Sequence, residues 1–243
     1  MPARVKAFLW HLGASVLIAL AVAAVVFMVW YPSPLDDALG VTGIFGVILL
    51  VDASLGPLLT LVVYKPGKKS LRFDLAVIFC LQLAALGYGL WTVAAQRPAW
   101  IVFNADRFDL VQASAIDTRA AGKAAPEYRG APWTGPRWVG ARPSGDRRIR
   151  NEMMIEAAIG GPDIPAHPEL YRPLDDVAAD IRARALPLDR LQRFNAPPAV
   201  AATLREWPAA AAWVPLKARA RSMVVLLDEQ QRRVAVVDLR PWH

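Results

Sequence analysis

Three transmembrane α-helices followed by a soluble α+β domain with a C-terminal β-hairpin is the fold this sequence predicts. Three observations predict it. Residues 1–95 of the 243 hold three long apolar runs. The lysines and arginines between those runs fall almost entirely on one side of the pattern. From residue 96 onward the long runs stop, and short alternating segments broken by Pro and Gly take over.

The first run, residues 7–31, is long enough for the ~20 apolar residues a bilayer-crossing helix needs. Arg4 and Lys6 in front of it give the charged start of a secretory signal. A signal's apolar stretch is shorter and ends on small residues, whereas this one runs on into FMVWY. It reads as an uncleaved anchor. The second and third runs cover residues 40–64 and 75–95. Trp30, Tyr31, Tyr64, Trp91 and Trp100 stand near run ends, where amphipathic rings favour the headgroup level.

Orientation follows from Lys and Arg in the short flanks. Arg4 and Lys6 precede the first run, and PSPLDDALG after it carries neither type. The loop KPGKKSLRFD after the second run carries Lys65, Lys68, Lys69 and Arg72. These four are assigned to topology and contact with membrane lipids at the cytoplasmic face. The N-terminus is then cytoplasmic and the domain at 96–243 lies outside, on the far side of the membrane.

Asp52 is the anomaly of the second run. It lies about 18 Å from either end at the helical rise of ~1.5 Å per residue. A charge at that depth costs at least ~2.5 kcal/mol, so it must face protein or take up a proton. Gln82 and Tyr88 on the third run bracket its depth and are the first candidates for hydrogen-bond partners. Thr42, Gly46, Ala53, Gly56 and Thr60 form a small-residue stripe that another helix can approach closely. Pro57 removes one helical hydrogen bond and bends the span. Two roles fit Asp52: an internal clasp between the three helices, or a contact or proton site for a partner helix.

In the tail, AWIVFNADRFDLVQASAI reads as two strands around a turn at Asn104–Asp106. Residues 118–148 read as loop, with a short helix at Arg119–Ala125 and with Trp133 and Trp138 pinning the loop to the core or capping a groove, pinning being preferred. Helices are expected at 151–161, Leu174–Arg184, Leu188–Phe194 and 198–207, before a hairpin of MVVLLD, EQQR and RVAVVDL.

The chemistry-bearing residues do not assemble into a motif. Cys80 is the single cysteine, and His11, His167 and His243 show no metal-ligand spacing. Asp175, Asp176 and Asp180 read as a solvated face. GPRWVGARPSG is not a phosphate loop. The net charge of +7 comes without a basic run interleaved with aromatics, so no nucleic-acid partner is expected. No enzyme site, metal or cofactor is predicted.

The consecutive segments YPSPL, VDASLGPLLTLVVYKPGKKSLRFDL, LQLAALGYGLW and QRPAWIVFNADRFDLV, with the Pro241–Trp242 ending, resemble the TfpX/TfpZ family of type IV pilin accessory proteins. The resemblance is dense over about residues 30–112, sparse over 113–220 and moderate at the end. It implies a multi-pass inner-membrane protein that helps a particular major type IV pilin assemble into pili, chaperone-like and non-enzymatic. The pilin, and other pilus assembly proteins, are the implied partners. Asp52, Gly56, Pro57, Thr60, Gln82 and Tyr88 fall on the family's pattern and become candidates for contact with the partner helix. The alternative is a membrane-anchored periplasmic ligand sensor signalling through a partner, and a third reading is a membrane enzyme built on the Asp175–Asp176–Asp180 cluster.

Overall fold

In a computed structural model of the protein, residues 1–242 are described. The chain divides into two units: Met1–Val29 with Val41–Ala95, and Trp30–Gly40 with the chain from Gln96 onward.

The first unit holds the three long apolar helices. Helix α1 spans Ala3–Ala24 and continues as a π-helical stretch, Val25–Trp30. After the short α2 at Leu35–Leu39 come α3, Val41–Val63, and α4, Leu71–Ala95. All three long helices are long and apolar enough to cross a membrane. Helix α1 packs on α3, and α3 on α4. Phe27 meets Phe45 edge-on at 5.6 Å near one end of the α1–α3 contact, and His11 meets Thr60 near the other, so the two run antiparallel. Most other large side chains of these helices point outward, as lipid-facing helices require.

The second unit is a mixed sheet with both faces covered. Its strands are β1 (Pro98–Asn104), β2 (Arg107–Gln112), β3 (Arg137–Ala141), β4 (Tyr171–Arg172), β5 (Leu186–Pro187), β6 (Ala212–Lys217), β7 (Met223–Leu227) and β8 (Arg233–Val237). They order as β4-β3-β1-β2-β6-β7-β8, with β5 paired to β6. The β1–β2 hairpin turns where expected, with Ala105 at φ 58°. Strands β7 and β8 form the predicted terminal hairpin, closed by Arg232 on Asp228.

Strands β1 and β7 read as unbroken apolar runs because both faces are buried. Ile101, Phe103, Val225 and Leu227 enter one core, while Trp100 and Val102 enter a second and Val224 and Leu226 a third. Leu35 and Ala38, from the loop between the first two spans, sit in the core built on Ile101 and Val225. The carbonyl of Ala38 accepts from the backbone amides of Ala220 and Arg221 at 3.0 and 3.1 Å. The loop and the tail therefore share one interior. Between them the chain forms α3 and α4, each long and apolar enough to cross a membrane.

Several elements differ from the sequence expectation. Residues 118–148 are not all loop: Arg137–Ala141 pairs in parallel with β1 as β3. Strand β6 adds a further interior strand, parallel to β2. Both owe their place to long-range pairing that local patterning does not encode. Helix α5 starts earlier than expected, at Arg147–Ala158, because Asp146 caps it by accepting from the Arg148 amide at 2.8 Å. The helix expected over Leu174–Arg184 is a 3-10 turn, Leu174–Val177, followed by α6, Ala178–Arg184. The segment at Leu188–Arg193 is also 3-10, and α7 spans Pro197–Glu206.

Candidate functional site

Helices α3 and α4 bound a groove of about 540 Å³ within the apolar unit. Its walls are Val47, Val51, Leu55 and Leu81, and its polar members are Asp52, Gln82, Tyr88 and Thr92. A smaller cavity of about 140 Å³ is lined by His11, Ser15, Asp52 and Gln82, so Asp52 and Gln82 border both spaces.

The structure brings Asp52 and Gln82 together, but through the backbone. Gln82 Nε2 donates to the main-chain carbonyl of Asp52 at 3.0 Å. The Gln82 Oε1 atom is buried and has no hydrogen-bond partner among the described residues. Gly56 makes this approach possible, since a Cβ there would run into the Gln82 side-chain amide. Pro57 is buried inside α3 and deprives the Ala53 carbonyl of its i+4 amide. Ser54 turns its hydroxyl back to the Leu50 carbonyl at 2.7 Å.

Thr60 is buried and engaged by α1: its Oγ1 lies 2.6 Å from His11 Nδ1. Tyr88 lies along the groove but is 70% exposed, beside Trp91 with ring centroids 6.1 Å apart. The small-residue stripe is thus split. Gly56 and Thr60 serve contacts inside the helix unit, whereas Gly46 has no atom within 4 Å of where a Cβ would stand. His11 is the polar residue of this seam that the sequence reading left without a role. Its signal is faint, because a single histidine near the start of a span has no partner in the local sequence. Only the antiparallel α1–α3 pairing brings it to Thr60.

At the α3–α4 connection, Gly67 takes a left-handed φ of 80° and turns the chain. Lys68 pairs with Asp74 at 2.6 Å, and Ser70 donates to the same carboxylate at 3.1 Å. Lys65, Lys69 and Arg72 are exposed.

In the second unit Asp175, Asp176 and Asp180 are exposed, and the change from 3-10 to α-helix at Val177 separates the first two from the third. A buried polar cluster stands elsewhere. His167, 4% exposed, has its Nδ1 3.2 Å from Glu169 and 3.5 Å from Asp117. Arg119 bridges Asp117 and Glu156 at 2.7 and 2.6 Å, and its hydrogen bonds hold the Asp117 carboxyl below the usual range. Asp109 on β2 is 7% exposed, and burial pushes its carboxyl up to about 6 against the pull of Arg107 and Lys217. Trp138 is pinned as expected, by Phe108 and by the Arg233 guanidinium at 4.6 Å. Among the described residues no group of three or more His, Cys, Asp or Glu side chains is placed to hold a metal ion.

Residues 1–40 match the family described as "Fimbrial assembly protein FimB". Two proteins of Dichelobacter nodosus, the fimbrial assembly proteins of serogroup E1 and of serogroup I, are each 32% identical over 180 residues. Each alignment covers 73% of this chain and 70% of the relative. The fimbrial assembly protein of serogroups C1 and C2 from the same organism is 35% identical over 98 residues, 40% of this chain and 75% of the relative. No solved structure matches the chain. These relatives are named for assembly and not for catalysis, and on their extent and identity the chain belongs to the family of fimbrial assembly proteins.

Proposed function

We propose that the protein is a multi-pass inner-membrane accessory factor that binds a specific type IV pilin and assists its assembly into pili, in the manner of the TfpX/TfpZ family. The action is chaperone-like: the factor holds the membrane-embedded subunit without chemical change. The observation that carries the proposal is the placement of Asp52 on a mainly aliphatic groove, where it is the one carboxylate among the lining residues. Lipid cannot solvate a carboxylate, so a helix that offers it a hydrogen-bond donor gains over lipid as an occupant. The exported domain gives a second point of contact, for the pilin's head. Two weak contacts on one client act at a raised effective concentration.

The proposed topology has the N-terminus and Lys65, Lys68, Lys69 and Arg72 at the cytoplasmic face, and residues 96–243 in the periplasm. Protease added to spheroplasts then digests the domain while the spans survive. Protection until lysis would reverse the topology.

The test of the client is co-purification of the pilin with the intact protein, Asp52→Ala and Asp52→Asn, alongside a count of surface pili after deletion. Asp52→Ala loses pilin and Asp52→Asn retains part of it. Equal recovery from all three would remove Asp52 from the account, and unchanged piliation on deletion would remove the pilin.

One observation favours a second reading, a periplasmic ligand sensor. A cavity of about 350 Å³ lies at the carboxyl ends of the parallel strands β1 and β3, lined by Phe103, Arg142, Asp180 and Arg184. Small ligands favour such a position in open sheets. A ligand that raises the melting temperature of the full-length protein, with loss of that shift in Arg142→Ala, would support the sensor.

A further inference from the structure

Two points where the chain passes between the bilayer and the sheet domain converge on one tryptophan. Trp30 ends the first span, and Arg97 follows the last residue of α4 by two positions. The Trp133 ring lies 6.2 Å from the Trp30 ring, and the Arg97 guanidinium sits 4.0 Å above it. Arg97 also donates to the carbonyls of Pro132 and Ala131, each at 3.1 Å. At 5% exposure Arg97 is a buried clamp on that loop.

Trp133 itself is 63% exposed. An indole left in water forfeits on the order of 25 cal/mol for each Å² of apolar surface it could bury. Connectivity limits where this ring can be. Its two contacts are attached to span ends through two residues or fewer, so Trp133 lies on the order of 10 Å from where the chain enters the bilayer. That is the depth of the headgroups, where tryptophan is enriched because its ring is apolar and its Nε1–H donates.

We propose that the loop around Trp133 is a membrane-interface anchor of the sheet domain, with the Trp133 indole seated among phospholipid headgroups. Arg97 and Trp30 fix the ring's orientation from the protein side, and lipid covers the remaining face. The partner is the phospholipid interface itself, and the contact is independent of any pilin.

The test uses full-length protein in phospholipid nanodiscs. In a Cys80→Ala background, Trp133→Cys carries a nitroxide label. Relaxation by oxygen exceeding relaxation by a water-soluble nickel chelate is the expected result. The reverse order, an aqueous label, would overturn the proposal. A second measurement leaves residue 133 unlabelled: lipids brominated near the headgroup quench tryptophan fluorescence in wild type and in Trp133→Phe. A loss of shallow quenching in Trp133→Phe is expected, and equal quenching in the two would overturn the assignment.

Discussion

The Gln82 side-chain amide donates to the Asp52 main-chain carbonyl at 3.0 Å, across the one place on α3 where Gly56 leaves room for it. Helix contact in a bilayer rests on close approach and on such polar links, not on expulsion of water. Gly56→Ala therefore displaces the amide and breaks the link. The expected loss is about 0.6–1.7 kcal/mol. In Gln82→Ala the same glycine substitution is close to neutral, so a double-mutant cycle of unfolding in detergent gives a coupling of that size. Additive losses would show that the two side chains do not meet.

The sheet domain is expected to be incomplete without residues 30–40. A fragment of residues 96–243 lacks Leu35 and Ala38, both buried in the core around Ile101 and Val225. It should bind a hydrophobic dye and melt at a lower temperature than the same fragment given a peptide of residues 30–40. In the full chain Leu35→Ala should cost about 2–5 kcal/mol. Denaturant unfolding followed by tryptophan fluorescence measures it.

Asp109 gives the domain a pH signature. Its carboxyl titrates at about 6 when folded and at the ordinary 3.8 when unfolded. The folded state holds the proton more tightly, so the Asp109 contribution to stability is largest below pH ~4, falls as pH rises to about 6, and is level above that. The total is about 3 kcal/mol at ~1.4 kcal/mol per tenfold change. Asp109→Asn should raise the neutral-pH melting temperature and flatten the profile between pH 4 and 6.

Gly140 and Gly130 make a matched pair. A Cβ at Gly140 on β3 would collide with the branched stem of Val177, which is buried, while one at Gly130 meets nothing within 4 Å. Gly140→Ala should destabilise by about 1–3 kcal/mol, the usual cost of overpacking. Gly130→Ala should be within about 0.5 kcal/mol of wild type. Thermal unfolding of the two variants side by side decides it.

What could be read from the residues alone follows the range of the forces involved. The three long apolar helices were legible, because bilayer thickness sets the length of an apolar helix through local composition. Asp52 stood out for the same reason, as a carboxylate where lipid forbids one. The loop PSPLDDALG looked like a connector, since Leu35 and Ala38 gain their meaning only from partners more than sixty residues downstream. Strand β3 was hidden by the Pro and Gly residues around it, and its parallel pairing with β1 depends on distant segments. His167 gave no warning of Asp117, which reaches it from a distant loop. The exposure of Trp133 was equally invisible, because whether an aromatic ring packs or projects depends on the whole surface.

The insertion of Leu35 and Ala38 into the sheet domain has a consequence for biogenesis. The ribosome delivers that loop well before the strands that will receive it, so it must wait until α3 and α4 have both been threaded. Should either helix fail to insert, the tail emerges on the opposite face and the interior never closes. A correctly threaded polypeptide is thus the one that completes its globule.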